Sequence, residues 1–168
     1  MTRRELEVTA PEDILRILDK SRILHLGLVD DGMPYIVPMN YGYTMEDGKL
    51  TLYLHGASKG YKLDVMRKNP VCCFEMECGV APFEGRLPCQ YGTSYYSLMG
   101  RGTAVILDSA QEKMDALSIF MKTQTGKDFV FNERLVSIVS VIRIDVSEYT
   151  AKHRPAPPTV EEVMAKAK

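Results

Sequence analysis

The residues best suited to chemistry lie between Tyr35 and Lys62, where YIVPMNYGY is followed after a turn by LTLYLHGASKGYK. Two strand-like segments there run into the small-residue loop His55-Gly56-Ala57-Ser58-Lys59-Gly60, and an amphipathic helix follows. The loop delivers hydroxyls, free backbone N–H groups and the ammonium groups of Lys59 and Lys62 to a helix N-terminus. Unpaired N–H groups and the helix dipole make such an end an anion site. The implied chemistry is the holding of a phosphate-bearing small molecule against apolar strands. Plainer roles are open to the same residues. Ser58 can cap the helix while Lys59 and Lys62 stay solvated. His55, alternating with Leu50, Leu52 and Leu54, can face solvent or line a site. His25, within RILHLGL, reads as a structural or surface residue.

The elements that must position this loop follow from periodicity and turn chemistry. Thr9-Ala10-Pro11-Glu12 has the spacing of a capping box and opens a helix whose face carries Ile14, Leu15 and Leu18. Strands are predicted at 22–30, 34–45 and 49–56, joined by the Asp-Gly turns at Asp31-Gly32 and Asp47-Gly48, which makes an antiparallel meander. Pro38 cannot donate to a ladder and marks an edge or a bulge. A helix from Ser58 to Lys68 stops at Asn69-Pro70. Further strands are predicted at 71–78, 94–107 and 136–151, with Gly79 to Gly92 read as loop. Gly100 and Gly102 signal a bulge or a close backbone approach. Ser109 to Glu112 is a second capping box, opening a helix that buries Met114, Leu117, Ile119 and Met121. Tyr41, Tyr43, Tyr95 and Tyr96 read as strand residues with amphipathic faces. The expected fold is mainly β, a six-stranded antiparallel barrel, closed or split, with peripheral helices. It occupies residues 1–152, and a Pro-rich tail covers 153–168.

Composition narrows the function classes. The chain has 168 residues, enough for one domain, with 45% hydrophobic and 26% charged residues, ordinary for a globular protein. A net charge of −1 argues against nucleic-acid affinity. No apolar run is long enough to span a membrane, and MTRRELEV lacks the apolar stretch of a signal peptide. A cytoplasmic protein is the expectation. Cys72 and Cys73, adjacent on a strand, should face opposite sides. No cysteine pair has zinc spacing and no histidine sits at ligand spacing beside one, so no metal site is expected. Reduced cysteines are favoured over a disulfide between Cys78 and Cys89.

The order of a helix, a meander carrying V-P-x-N-Y-x-Y, then H-G-A-x-x-G-x-K-L and N-P-x-x-C-F-E resembles the flavin-binding split barrels related to pyridoxamine 5′-phosphate oxidase. Within them it is most similar to the nitroimidazole-resistance and flavin-nucleotide-binding proteins, over roughly residues 5–150. The resemblance implies a homodimer with flavin, FMN or by extension FAD, between the subunits. It implies that Val37, Pro38, Met39 and Asn40 lie along the isoalloxazine ring. His55, Ser58, Lys59 and Lys62 would hold the ribityl chain and phosphate, and Ser97 or its neighbours would arrive from the second subunit. The loop lacks the arginine–lysine pair of the oxidases, and no counterpart of their substrate-phosphate arginines is present. The implied function is electron transfer from NAD(P)H to a small flat acceptor, nitroaromatic or quinone-like, with His55 as the candidate proton donor. The alternatives are a flavin-binding module without turnover, for storage, sensing or stress protection, and haem binding through His25, His55 or His153.

Overall fold

The computed structural model describes residues 3–158. Its strands are β1 (Glu7–Val8), β2 (Leu24–Asp30), β3 (Met33–Met39), β4 (Tyr41–Glu46), β5 (Lys49–Ala57), β6 (Val71–Phe83), β7 (Gly92–Ile106) and β8 (Val139–Arg154). Four α-helices lie between them: α1 (Pro11–Lys20), α2 (Tyr61–Lys68), α3 (Ala110–Thr125) and α4 (Glu133–Ser137). Both hairpin turns have the chemistry their sequence demands. Asp31 and Gly32 take φ of 47° and 86°, Asp47 and Gly48 take 50° and 78°. Two successive positive φ values twist a two-residue turn in the hand that suits its strands.

All strand pairs are antiparallel, and the sheet runs β3-β2-β6-β7-β8-β5-β4, with β1 added to β8. β3 and β4 stand at opposite ends of that path, yet only Asn40 separates them in the chain. Two ends that must meet within one residue force the sheet to roll up. The result is a barrel split between β3 and β4. Alternation along the strands fills its interior with Leu24, Leu26 and Leu28, Leu50, Leu52 and Leu54, Phe74 and Met76, Leu98, Ile142 and Ile144, all nearly solvent-free. Ile14, Ile17 and Leu18 of α1 and Leu63, Val65 and Met66 of α2 join the same core. A second, smaller cluster, built from Leu107, Ala116, Leu117, Val136 and Val141, seats α3 and α4 on the outside.

Several expectations need correction. The strand predicted at 34–45 is two strands, because the chain changes partner at Asn40, from β2 to β5. There is therefore no simple meander, and the sheet has eight strands rather than six. β6 continues to Phe83 through a bulge between Cys78 and Ala81, in a stretch read as loop. β8 reaches Arg154, so His153 lies in the sheet, while residues 159–168 of the expected tail lie outside the described residues. Ala10, not Thr9, caps α1, without a side-chain bond, and Leu15 is exposed where Ile17 is buried. On α3 the fully buried residues are Ala116, Leu117 and Phe120, with Met114, Ile119 and Met121 only partly covered. Other readings hold. Pro38 sits on an edge strand, Ser109 caps α3 through the Glu112 N–H at 3.5 Å, and a register shift occurs at Arg101/Gly102.

β4 is an edge, and α3 covers it. Gln124 Nε2 donates to the Tyr41 carbonyl at 2.7 Å, and the Tyr43 N–H donates to Thr123 Oγ1 at 3.4 Å. The helix comes this close because residue 42 is glycine: a Cβ there would stand 2.4 Å from Phe120 Cα. Gly42→Val should therefore push α3 off the strand and cost about 1–3 kcal/mol in urea unfolding. A variant as stable as the parent would mean that α3 does not need this seat.

Candidate functional site

The end of β5 is where the sequence-predicted residues converge. Tyr41 pairs with Leu54, so the Asn40 step lies one position beyond, beside His55. Alternation with the inward leucines turns His55 outward, against α3, where its ring meets Phe120 edge-on at 4.5 Å. That contact buries Nδ1 without any hydrogen-bond partner. Burial and, after it, the positive charge of Lys62 hold the His55 pKa below the ordinary imidazole value. His55 is thus a neutral, half-buried imidazole with an unused nitrogen. A buried polar atom left unpaired costs stability and calls for an explanation.

Lys62 reaches the same point from α2. Its Cε and Nζ lie 3.1 Å from where a Cβ on Gly56 would be, so the missing side chain leaves the ammonium its place. Ser58, Lys59 and Gly60 form the exposed connection from β5 to α2. The helix starts at Tyr61, later than predicted, and Gly60 precedes it with φ 149° and no side-chain cap. Ser58 is therefore not the helix cap, and its hydroxyl is free for another use. The first helical bonds are made by the N–H groups of Leu63 and Asp64 to the Gly60 carbonyl, at 2.9 and 3.4 Å. The N–H groups of Tyr61 and Lys62, which precede these, have no partner within the helix. Tyr61 anchors this end to the β2–β3 hairpin: its hydroxyl donates to Asp30, and its ring meets Tyr35 edge-on at 5.2 Å.

Val37, Pro38, Met39 and Asn40 form the adjoining wall. Met39 is buried, Val37 partly so, and Pro38 and Asn40 are exposed. Asn40 Nδ2 donates to the Arg22 carbonyl at 3.0 Å, fixing the step between the strands. Ser97 is not part of this gathering. It lies on β7, three strand spacings from β3, or roughly 14 Å across the sheet. Phe120 and Gln124 were missed by sequence reasoning, because no local signal ties α3 to β4 across so much chain.

The remaining candidates make contacts within the chain. Tyr96 stacks on His153 at 3.8 Å, with the Arg16 guanidinium 4.6 Å from the ring centre. Tyr95 accepts from Lys152 at 3.2 Å. All four cysteines are free, so Cys78 and Cys89 form no disulfide. Cys72 is buried and Cys73 exposed, and burial pushes the Cys72 thiol up to about 11, leaving it inert at neutral pH. Among the described residues no helix is long and apolar enough to cross a membrane.

A model of the pyridoxamine 5′-phosphate oxidase family matches residues 10–153. The chain is 30% identical to a candidate 5-nitroimidazole antibiotic resistance protein from Bacteroides thetaiotaomicron, over 88% of this chain and 86% of that one, with a TM-score of 0.75. It is also similar to an FAD-binding protein from Mesorhizobium loti, at 20% identity over 88% and 96% of the two chains and a TM-score of 0.61. A third likeness is to an FAD and haem binding protein from Mycobacterium smegmatis, at 16% identity over 96% and 80%, with a TM-score of 0.75. At those identities the last two bear on the fold alone. No curated protein matches the chain significantly.

The imidazole makes a checkable statement about pH. Because the folded pKa of His55 lies below 6.5, the unfolded chain takes up a proton that the folded site refuses. Stability should fall as pH drops from about 7 through that window. His55→Gln should remove part of this acid loss, while His153, shifted in the same direction, keeps its share in both proteins. Urea unfolding at pH 7.5 and pH 5 measures it, and identical pH dependence in the two proteins would contradict the burial of His55.

Proposed function

Because this chain belongs to the pyridoxamine 5′-phosphate oxidase family across residues 10–153, we propose that it binds a flavin nucleotide at the β3–β4 step and works as an oxidoreductase. The electrons pass from NAD(P)H to a small flat acceptor such as a nitroaromatic or a quinone. One observation carries the reading: a buried, unpartnered His55 Nδ1 and the Lys62 ammonium over Gly56 meet beside the Asn40 step. These residues fit the cofactor. The phosphate of FMN carries nearly two negative charges, and Lys59, Lys62, Ser58 and the unpaired first N–H groups of α2 answer it with charge-assisted bonds. Val37, Pro38, Met39 and Asn40 offer an edge strand and an exposed backbone along which an aromatic ring can lie. FMN suits the short loop better than FAD.

When bound, the flavin supplies the redox chemistry. The chain's own part is to position the ring, exclude water from one face and handle a proton. His55 stands beside the step as the candidate proton donor: neutral at rest, it must first take up a proton, and its depressed pKa then makes the imidazolium a strong acid. The second copy in a homodimer supplies Ser97, which stands too far from Asn40 within one chain to serve the same ring. The absence of an arginine from the Ser58–Lys62 loop speaks against oxidation of a phosphorylated pyridoxine.

Purified protein should show oxidised-flavin absorbance, alone or after FMN is added, that stays with a dimer-sized species on gel filtration. FMN should bind more tightly than riboflavin, and Lys62→Ala should weaken FMN by about tenfold or more while leaving riboflavin little changed. A colourless protein that ignores both ligands would end the flavin reading. Under saturating FMN, His55→Gln should lower steady-state reduction of a nitroaromatic by at least about tenfold. Unchanged turnover would remove the proton-donor role, and flavin that never reoxidises with any acceptor would leave a binding module.

A further inference from the structure

On the outer face of the barrel, β2 and β6 bring three ligand-type side chains together, one strand over from Pro38, which pairs with His25 from β3. His25 stands directly across from Glu75 in the antiparallel register, and Glu77, two residues on, shares the same outward face. His25 Nδ1 lies 3.3 Å from Glu75 Oε2 and 3.9 Å from Glu77 Oε2. One donor atom from each residue falls within 4.8 Å of the other two. The two carboxylates lie side by side, and among the described residues neither is paired with a lysine or an arginine. Burial, together with the neighbouring Glu77, holds the Glu75 pKa above the ordinary carboxylate value. A second observation concerns space. An open cavity of about 660 Å³ has His25 and Glu75 in its wall, together with Ile36, Met99 and Tyr149.

We propose that His25, Glu75 and Glu77 form a binding site for a divalent first-row transition-metal ion, with its remaining coordination positions open to the cavity. The donor set chooses the class of ion. Calcium and magnesium prefer oxygen alone, whereas one imidazole with two carboxylates suits zinc, cobalt, manganese or ferrous iron. The geometry is nearly formed already. Bonds near 2.1 Å around a tetrahedral ion set its ligands about 3.4 Å apart, so Nδ1 and Glu75 are at the required spacing and Glu77 needs a small side-chain rotation. The donors sit on paired strands, not on a loop, which fixes them before the ion arrives. The ion would also relieve the repulsion between two adjacent acids. The signal is invisible in the sequence, since His25 and Glu75 are far apart in the chain, outside any short-range ligand motif.

The test is equilibrium dialysis of the EDTA-stripped full-length protein against Zn²⁺ and Co²⁺. One ion per chain is expected, with His25→Asn or Glu77→Gln each weakening binding at least about tenfold. Cys73→Ser, at the neighbouring exposed thiol, should leave affinity unchanged, and bound Co²⁺ should show no thiolate charge-transfer band. Thermal melts without metal would establish that both ligand variants remain folded. In the parent protein, added Zn²⁺ should raise Tm. No saturable binding, binding that survives both ligand substitutions, or binding lost only with Cys73 would each overturn the proposal.

Discussion

The structure depends on one covalent constraint: residues 39 and 41 belong to strands at opposite ends of the hydrogen-bonded path, and a single residue joins them. A flat sheet of this order would separate its two ends by many strand spacings. The chain cannot stretch, so the sheet must curl until its ends meet. Closure then creates the enclosed leucine core, and hydrophobic burial supplies the free energy that keeps it closed. The same constraint leaves a seam. β3 and β4 meet end to end at Asn40 without pairing, so each keeps one open edge, and that seam is where the candidate flavin residues collect.

Open edges must be managed, and the protein treats its two differently. β3 carries prolines at positions 34 and 38, which cannot donate to a new ladder. β4 is covered by α3, whose Gln124 and Thr123 side chains take up a backbone carbonyl and an N–H. Covering β4 has a consequence for the site. The helix that satisfies the strand also brings Phe120 over His55, and this burial both orphans Nδ1 and lowers the imidazole pKa. Edge protection and site chemistry are thus one piece of packing, with Gly42 as its hinge point.

Much of this was legible in the residues, for stated reasons. The Leu50-Leu52-Leu54 alternation, the two Asp-Gly turns and the Asn69-Pro70 stop are local signals, and local signals survive folding. Pro38 limited its strand to an edge or a bulge, and β3 is an edge. What could not be read was the break at Asn40. Met39 and Tyr41 are both buried, so alternation runs unbroken through a change of partner strand. The start of α2 was misplaced because Ser58 has the chemistry of a cap, whereas Gly60 takes the backbone conformation that actually precedes the helix. Contacts made by distant segments, Phe120 on His55 or Glu75 on His25, leave no trace in any window of sequence. The candidate anion loop was therefore visible, and the surroundings that set its electrostatics were not.

The charge pattern of the barrel follows from the same topology. At the β5–α2 junction Lys59 and Lys62 flank a helix N-terminus, and among the described residues neither is in an ion pair. On the β2–β6 face two glutamates stand together with only a histidine between them and like-charge repulsion. A chain with a net charge of −1 could have paired such groups with each other. The lysines sit where β5 runs into α2 and the glutamates on β6, and paired strands prevent either cluster from relaxing toward the other. Charges that a fold holds apart in this way are left to be answered from outside, an anion by the lysine loop and a cation by the carboxylates. The rigidity imposed by closure at Asn40 is what makes both demands persist.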